Sequence, residues 1–281
     1  AVPTVTPTLV IGRYATHYLQ GQMGYVRMYD RVLSPAEIAR NYKAMKIRTE
    51  TSADYTDTFT PICSGEKGKV ELLVVGSGAN GGGDVGGGGA GAQVVHNPSF
   101  TVTSGVGIGL TVGGIRLGDQ SGANNPHGAN GRSSVFSTIT ALGGNGGNGR
   151  TGTKSTAGMH GGGGSYSYTA VTNPDGGGNA GGSSNDISTG NCGCGGGGGA
   201  GGVGESGTAS VKAGDGAPGV VHDISGELAA YGAGGGGSYY DASGYRGYGG
   251  SGVGGDGGQS GTSSGDPGSN NGRHGTGSGG G

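Results

Sequence analysis

The sequence predicts a mainly β and irregular fold, in which short β-strands accompany a bundle of polyglycine II helices, with one short α-helix near residues 34–45. All but four of the 78 glycines lie after residue 65 of the 281-residue chain. Glycine there makes up about one residue in three, a density at which it becomes the main building material. Short apolar, β-branched runs interrupt this tract, which a flexible linker would not need. Because the apolar fraction is only 30% and tryptophan is absent, no conventional core can fill the tract.

Charge and hydropathy exclude several classes of function. The chain has 16 basic and 18 acidic residues and a net charge of −2, without the clustered basic face that nucleic-acid binding requires. No apolar run approaches the roughly 18 residues that span a bilayer. We therefore expect neither nucleic acid nor membrane insertion. The chain opens without an initiator methionine, and we interpret it as a piece of a longer protein.

The three cysteines do not form a recognisable framework. Cys192 and Cys194 lie one residue apart, and Cys63 is distant in sequence. An odd number excludes a disulfide scaffold, and neither a Cys-x-x-Cys spacing nor a nearby histidine pair points to zinc. A bond between Cys63 and one of the other two cysteines stays open.

Three regions follow one another along the chain. Residues 1–50 contain a predicted strand at 23–29 and the short helix, which begins with Ser34 as cap, Pro35 at the first helical position and Glu37 in a capping box. Residues 51–68 are predicted as a polar connector. Residues 69–281 form the glycine-rich domain.

Within that domain, apolar β-branched runs predict strands between the glycine runs. The strongest is at residues 69–75, immediately before Gly76. The others are at residues 93–95, 100–102, 108–112, 134–142 and 220–224.

Residues 76–81 match the G-x-G-x-x-G pattern of a dinucleotide site. That site needs a following helix and an acidic residue about 20 positions later. The motif is followed by further glycines, which do not favour a helix, and no acidic residue lies between Asp84 and Asp119. We therefore predict no cofactor.

Two other glycine-rich architectures are excluded because the sequence lacks the repeat length that each requires. Collagen requires glycine at every third position, and the run of five glycines at 195–199 breaks that frame. A calcium-binding β-helix requires tandem nine-residue units, but Asp84, Asp215 and Asp256 follow no common period. The polyglycine II helix remains, with about three residues per turn and no internal hydrogen bonds, so that neighbouring helices must satisfy its backbone.

Two tyrosine-rich stretches are candidate recognition loops, because tyrosine gives rigid amphipathic contact area at low entropic cost. The alternative is that these side chains cover the edges of glycine helices. The candidate receptor-contact residues are Tyr166, Tyr168, Tyr239, Tyr240, Tyr245, Arg246 and Tyr248.

The six histidines are scattered, and no catalytic triad, carboxylate pair or metal-ligand spacing can be assembled from them. His222 and Asp223 are interpreted as a surface pair at a strand end. The sequence thus predicts no enzyme and no metal site.

Residues 24–38 resemble the C-terminal end of laminin-G-like, concanavalin-type jelly rolls, through Gly-Tyr-Val-Arg-Met-Tyr-Asp-Arg-Val-Leu-Ser-Pro-Ala-Glu-Ile. A complete jelly roll needs many more strands than residues 1–50 supply. The resemblance therefore implies a C-terminal remnant, and no lectin activity is carried over.

The Val-Glu-Leu-Leu-Val-Val-Gly-Ser-Gly run at residues 70–78 and its Gly-Ala-rich continuation resemble the glycine-rich domains of phage tail and fibre proteins. Later motifs fit in order: Leu-Thr-Val-Gly-Gly at 110–114, Ser-Ser-Val-Phe at 133–136, Ile-Thr-Ala-Leu-Gly-Gly at 139–144 and Tyr-Gly-Ala-Gly-Gly at 231–235. Such domains usually end in a closing Gly-Ser-Gly-hydrophobic strand, and we expect that strand to be either cut off or absent here. Receptor kinases of the anaplastic-lymphoma type also carry a glycine-rich module, but none of their other modules is visible.

This resemblance implies a structural protein on a virion surface, as a fibre, spike or decoration, with adhesin-like contacts to a host glycan or surface protein. It further implies a homo-oligomer, with a trimer favoured. The alternative is a secreted or cell-surface glycine-rich protein that forms an extracellular filament or matrix.

Overall fold

The computed structural model describes residues 13–14, 17–18, 35, 54–63, 65–114, 127–150, 158–165, 169–170, 176–185, 192–208, 211–240, 244–259, 271–273 and 275–281. The chain divides into two compact units, Ala1–Thr49 and Glu50–Gly281. The described residues are mainly β and irregular, which confirms the predicted fold class. None of their helical segments is long and apolar enough to cross a membrane.

The strands of the described residues pair only in antiparallel ladders, in one four-stranded sheet and three two-stranded ribbons. They are β1 Arg13–Tyr14, β2 His17–Tyr18, β3 Tyr55–Phe59, β4 Lys67–Val75, β5 Val94–Thr103, β6 Ile108–Val112, β7 Ser134–Phe136, β8 Ile139–Ala141, β9 Val220–His222 and β10 Ala229–Tyr231.

In the first unit, β1 and β2 pair with each other. The predicted strand at 23–29 lies outside the described residues. So does the predicted helix at 34–45, apart from Pro35, whose backbone is helical.

The second unit contains the four-stranded sheet, in the order β3-β6-β7-β8. β3 occupies part of the segment 51–68 that the sequence predicts as a connector, and all five of its residues pair with β6. Its Tyr-Thr-Asp-Thr-Phe sequence is rich in β-branched and aromatic residues, which favour strands. The connector is therefore partly a sheet strand.

The β region predicted over residues 134–142 is a hairpin, in which Ser137 turns the chain between β7 and β8. Phe136 pairs with Ile139, so only residues 137 and 138 form the turn. Ser137 has φ +55°, the left-handed conformation that tight hairpin turns require.

β4 and β5 form a long antiparallel ribbon with an irregularity between Val70 and Leu72. Opposite this point β5 carries one extra residue, and Pro98 lies there. A bulge tolerates proline because the local ladder bonds are already disrupted. The runs at 93–95 and 100–102, predicted as separate, therefore belong to one strand.

All three phenylalanines form one small aromatic cluster. The ring of Phe136 lies 5.6 Å from that of Phe100 and 6.0 Å from that of Phe59. These contacts join the β4–β5 ribbon to the four-stranded sheet, and Val102 is buried on the same ribbon. A small apolar cluster therefore lies where the ribbon meets the four-stranded sheet.

The rest of the unit is a bundle of extended segments whose backbone hydrogen bonds repeat every three residues. The segment 76–82 shows the pattern against its antiparallel neighbour 86–93, with N–H groups donating at 2.9–3.1 Å from Gly76 to Gln93, Ala79 to Ala90 and Gly82 to Gly87. The N–H groups of Ser77 and Asn80 instead donate to Arg132 and Ala129, on a second neighbour. A period of three is that of the polyglycine II helix, and Gly249, with φ −68° and ψ 142°, has its backbone conformation.

Residues 86–93, which we call the central segment, are bonded to six neighbours. Their N–H groups donate to residues 142–148, 195–198 and 277–280, and their carbonyls accept from residues 76–82, 163 and 235–238. Six bonded neighbours around one helix is hexagonal packing. Residues 277–281 therefore lie inside the bundle.

Glycine is required here because carbonyl oxygens occupy the positions where Cβ atoms would project. A Cβ at Gly88 would overlap the carbonyl of Gly235, and one at Gly89 would overlap the carbonyl of Ala79. The Cα–H bonds that stand in those positions point at the oxygens, as in weak Cα–H···O contacts.

The G-x-G-x-x-G stretch, residues 76–81, is one of the segments of the bundle. The N–H groups of Gly76, Ser77, Ala79 and Asn80 all donate to protein carbonyls. A pyrophosphate would need free N–H groups at a helix N-terminus. In this extended segment, four of the six N–H groups already have protein partners.

Candidate functional site

Two candidate tyrosines stand side by side on the outer face of residues 244–250. Tyr245 is 69% exposed and Tyr248 57% exposed, whereas Gly244, Gly247 and Gly250 are buried. Because the helix has three residues per turn, a spacing of three keeps the glycines against the bundle and directs both tyrosines outward.

The backbone of this segment is fixed by residues 211–216, which run parallel to it. The backbone N–H of Tyr245 donates to the Val211 carbonyl at 3.0 Å, and the Tyr245 carbonyl accepts from the Ala213 N–H at 2.8 Å. The N–H of Tyr248 donates to Oδ1 of Asp215 at 2.8 Å. Both tyrosines therefore project from an anchored backbone.

Charged side chains flank the two tyrosines. The ammonium of Lys212 lies 2.8 Å from Glu205 and 3.3 Å from Asp215. The hydrogen bond that Lys212 donates to Glu205, with a further contribution from Asp215, raises the pKa of Lys212 above its usual value. We call Tyr245, Tyr248, Lys212, Glu205 and Asp215 the tyrosine edge.

The other candidate residues are placed differently. Tyr239 is fully buried, and its ring lies directly on Gly244, so this side chain fills the interior. Tyr240 is 45% exposed and precedes residues 241–243, whereas Arg246 is half-buried. Tyr166 and Tyr168 lie outside the described residues.

A second cluster joins three residues that are far apart in sequence. Nε2 of His96 on β5 lies 2.8 Å from Oε1 of Glu71 on β4. The ring of His222, at the end of β9, packs edge-on against His96 with 4.3 Å between centroids. One donor atom from each residue lies within 4.8 Å of the others. Sequence spacing gives no sign of this cluster, because its members come from separate elements.

His222 is also held by its own turn. Its Nδ1 accepts the Ile224 N–H at 3.0 Å, and the carboxylate of Asp223 lies 3.7 Å away. Asp223 is largely exposed, as expected for a surface pair at a strand end, and such pairs contribute little stability.

No disulfide joins the three cysteines, all of which lie in the described part of the chain, and Cys63 is half-buried. Cys192 and Cys194 are fully buried and cluster with Val85. The Sγ of Cys194 lies 2.9 Å from the Val85 carbonyl. These two thiols serve as small apolar side chains in an interior with little room.

His160 is the one histidine of the described residues whose pKa is clearly shifted. Burial lowers the pKa to about 4, since the charged form would lose hydration. Its Nδ1 accepts the Asn179 N–H at 3.0 Å, which requires the neutral ring. His160 therefore links glycine segments and is uncharged at neutral pH.

A family model for a glycine-rich domain matches residues 52–281, most of the chain and nearly the whole second unit. No curated protein and no solved structure matches the chain. The match covers the strands of the second unit, the bundle and the tyrosine edge together. The chain therefore belongs to the glycine-rich domain family.

Proposed function

We propose that this protein is a structural element of a virion surface, a fibre, spike or decoration, which presents the tyrosine edge to a host glycan or surface protein. The observation that carries this proposal is the pair Tyr245 and Tyr248, exposed one helical turn apart on a backbone bonded into the bundle. Membership of the glycine-rich domain family is consistent with a structural role. The phage-like setting comes from sequence resemblance.

Rigidity supports this role. Each segment around the central segment is bonded to several others that are remote in sequence, so no segment can shift without breaking bonds to its neighbours. A rigid support lowers the entropic cost of recognition, because the contact groups are already in place.

The chemistry of the tyrosine edge suits a polar, ring-shaped ligand. Exposed tyrosine rings offer flat apolar faces with a hydroxyl at the rim. Glu205, Asp215 and Lys212 place hydrogen-bonding groups beside them. This combination can contact the C–H face and the hydroxyls of a sugar.

The proposal is tested by replacing Tyr245 and Tyr248 with alanine together. The labelled protein is applied to a glycan array and to a panel of bacterial cells, and its melting temperature is measured in parallel. Two contact tyrosines removed together should weaken binding by at least about 30-fold, the effect of a hot spot of ~2 kcal/mol.

Leu228→Ala is the matched control, since this side chain is 79% exposed on the β9–β10 hairpin. It should leave binding and melting unchanged. Equal binding by the double variant, or a loss only in proportion to lost stability, would contradict recognition through this edge.

Assembly distinguishes the proposed role from an extracellular filament or matrix. Negative-stain images of the purified protein should show discrete oligomers, with trimers expected for a fibre or spike. Open-ended polymers would favour the filament instead.

A further inference from the structure

The cluster of Glu71, His96 and His222 points to a function that the tyrosine edge does not involve. We propose that these three residues bind a divalent transition-metal ion of the zinc class, which fastens the β9–β10 hairpin to the β4–β5 ribbon. The ion would join His96 to His222, which lie more than 120 residues apart in the chain.

The ribbon positions two of the ligands through its register. His96 pairs with Leu73, and Glu71 lies two residues before Leu73, so Glu71 and His96 share one face as diagonal neighbours. Long side chains at diagonal positions are within reach of each other. The 2.8 Å contact between their side chains shows that they meet.

The hairpin brings the third ligand over the same face. His222 is the last residue of β9 and pairs with Ala229, so its place is fixed by the hairpin ladder. Its side chain is only 17% exposed. The ring therefore approaches His96 from a defined direction.

Two imidazoles and one carboxylate are a donor set that zinc uses when a fourth position is left to water. Tetrahedral zinc at its usual bond lengths of ~2.0–2.2 Å separates its ligand atoms by roughly 3.3–3.6 Å. The three donor atoms lie within 4.8 Å of one another. Side-chain adjustments of about an ångström would close the site around an ion.

Binding has an identifiable cost at His222. The Ile224 N–H donates to Nδ1, which occupies that lone pair and keeps the ring proton on Nε2. Either nitrogen can bind the ion only after this hydrogen bond breaks. The bond lies within the hairpin, so breaking it leaves the hydrogen bonds of the ribbon and the bundle in place. Residues 223–228 are all exposed, so the turn has room to release it.

Zn²⁺ titration of the full chain by calorimetry tests the proposal, with melting followed in the same buffer. The wild type should bind one ion and melt at a higher temperature with Zn²⁺, because a ligand that binds only the folded state stabilises it. Glu71→Gln, His96→Asn and His222→Asn should each weaken binding at least about tenfold, since losing even an outer partner of a metal ligand costs ~10–100-fold. At a fixed Zn²⁺ concentration each should also reduce the melting shift, because weaker binding stabilises the folded state less.

Two controls keep the result interpretable. Glu227→Gln removes an exposed carboxylate from the same hairpin, and Cys63→Ser removes the half-buried thiol; both should bind Zn²⁺ like the wild type. Each ligand variant should melt near the wild type without metal, since Glu71 and His96 are exposed. No saturable binding by the wild type, equal affinity in the ligand variants, or loss of binding in Cys63→Ser would overturn the proposal.

Discussion

At the scale of single residues, the absence of a side chain decides most of this structure. Gly88 and Gly89 lie where Cβ atoms would overlap carbonyl oxygens of neighbouring segments. By contrast, Gly109 on β6 has no atom within 4 Å of its Cβ position. Gly88 and Gly109 therefore differ in how well they tolerate substitution.

Gly88→Ala should destabilise the protein by about 1–3 kcal/mol or more, the cost of overpacking a tight interior. Gly109→Ala should be neutral or stabilising by up to about 1 kcal/mol, since alanine reduces the entropy of the unfolded chain. Urea denaturation of both variants measures the difference. Equal effects would contradict the close approach of segments at Gly88.

His160 makes stability depend on pH. Its folded-state pKa of about 4 lies below its usual value of about 6.5, so the unfolded chain binds a proton first. Stability is therefore fully present above pH 6.5 and falls as the pH drops towards 4. The loss amounts to about 3 kcal/mol, from a shift of roughly 2.5 pKa units.

His160→Asn should remove that contribution, because the Asn oxygen can accept the Asn179 N–H without titrating. The free energy of unfolding of both proteins is measured by denaturation at several pH values between 4 and 7. Carboxylates that titrate in this range affect both proteins alike, so the difference between the two curves isolates the contribution of His160. Parallel stability curves would contradict the assignment.

At the scale of elements, each extended segment uses its period of three to separate inside from outside. In residues 244–250 the buried glycines and the exposed tyrosines alternate in this way. Tyr239 belongs to a different segment and turns inward, where its ring covers Gly244. Tyr239 thus fills the interior, whereas Tyr245 is exposed and available for the contact role proposed above.

The pairing of Tyr239 with Gly244 can be measured by a double-mutant cycle. Gly244→Ala should be strongly destabilising alone, because its Cβ would enter the Tyr239 ring. Tyr239→Ala should cost about 3–5 kcal/mol, as for other large buried side chains. In the Tyr239→Ala background, Gly244→Ala should cost almost nothing, and additive effects in thermal melting would refute the contact.

At the scale of the whole molecule, backbone hydrogen bonds replace much of the apolar core. The largest fully buried side chains include Asn145 and Asn148, which bond through Nδ2 to backbone carbonyls. Fixing so many glycines costs more entropy than fixing other residues. The bonds between segments and the aromatic cluster must offset this cost together.

This balance predicts an unusual heat capacity of unfolding. Apolar exposure raises the heat capacity and polar exposure lowers it, with a usual net of ~12–15 cal/mol/K per residue. A bundle that buries mainly backbone should fall below this range while still melting cooperatively. Calorimetry measures both quantities, and a value within the usual range, or no cooperative transition, would contradict the bundle.

Several strand positions were readable from the sequence, and residues 108–112 form the strand predicted there, but β3 and β10 were not predicted. The break at Ser137 was not, because serine gives only a weak turn signal. The continuity of β5 through Pro98 could not be predicted either, because proline is a strong signal for the end of a strand unless it lies at a bulge.

The sequence by itself determined that glycine tracts alternate with β anchors, and from this the polyglycine II bundle followed, because few other structures satisfy so many bare backbone groups. Only the tertiary structure decided which segments are neighbours. Glycine runs carry no side-chain pattern that specifies a partner, and the bonds join residues far apart in sequence. The burial of Tyr239, the exposure of Tyr245 and the meeting of Glu71, His96 and His222 all depend on that choice of neighbours.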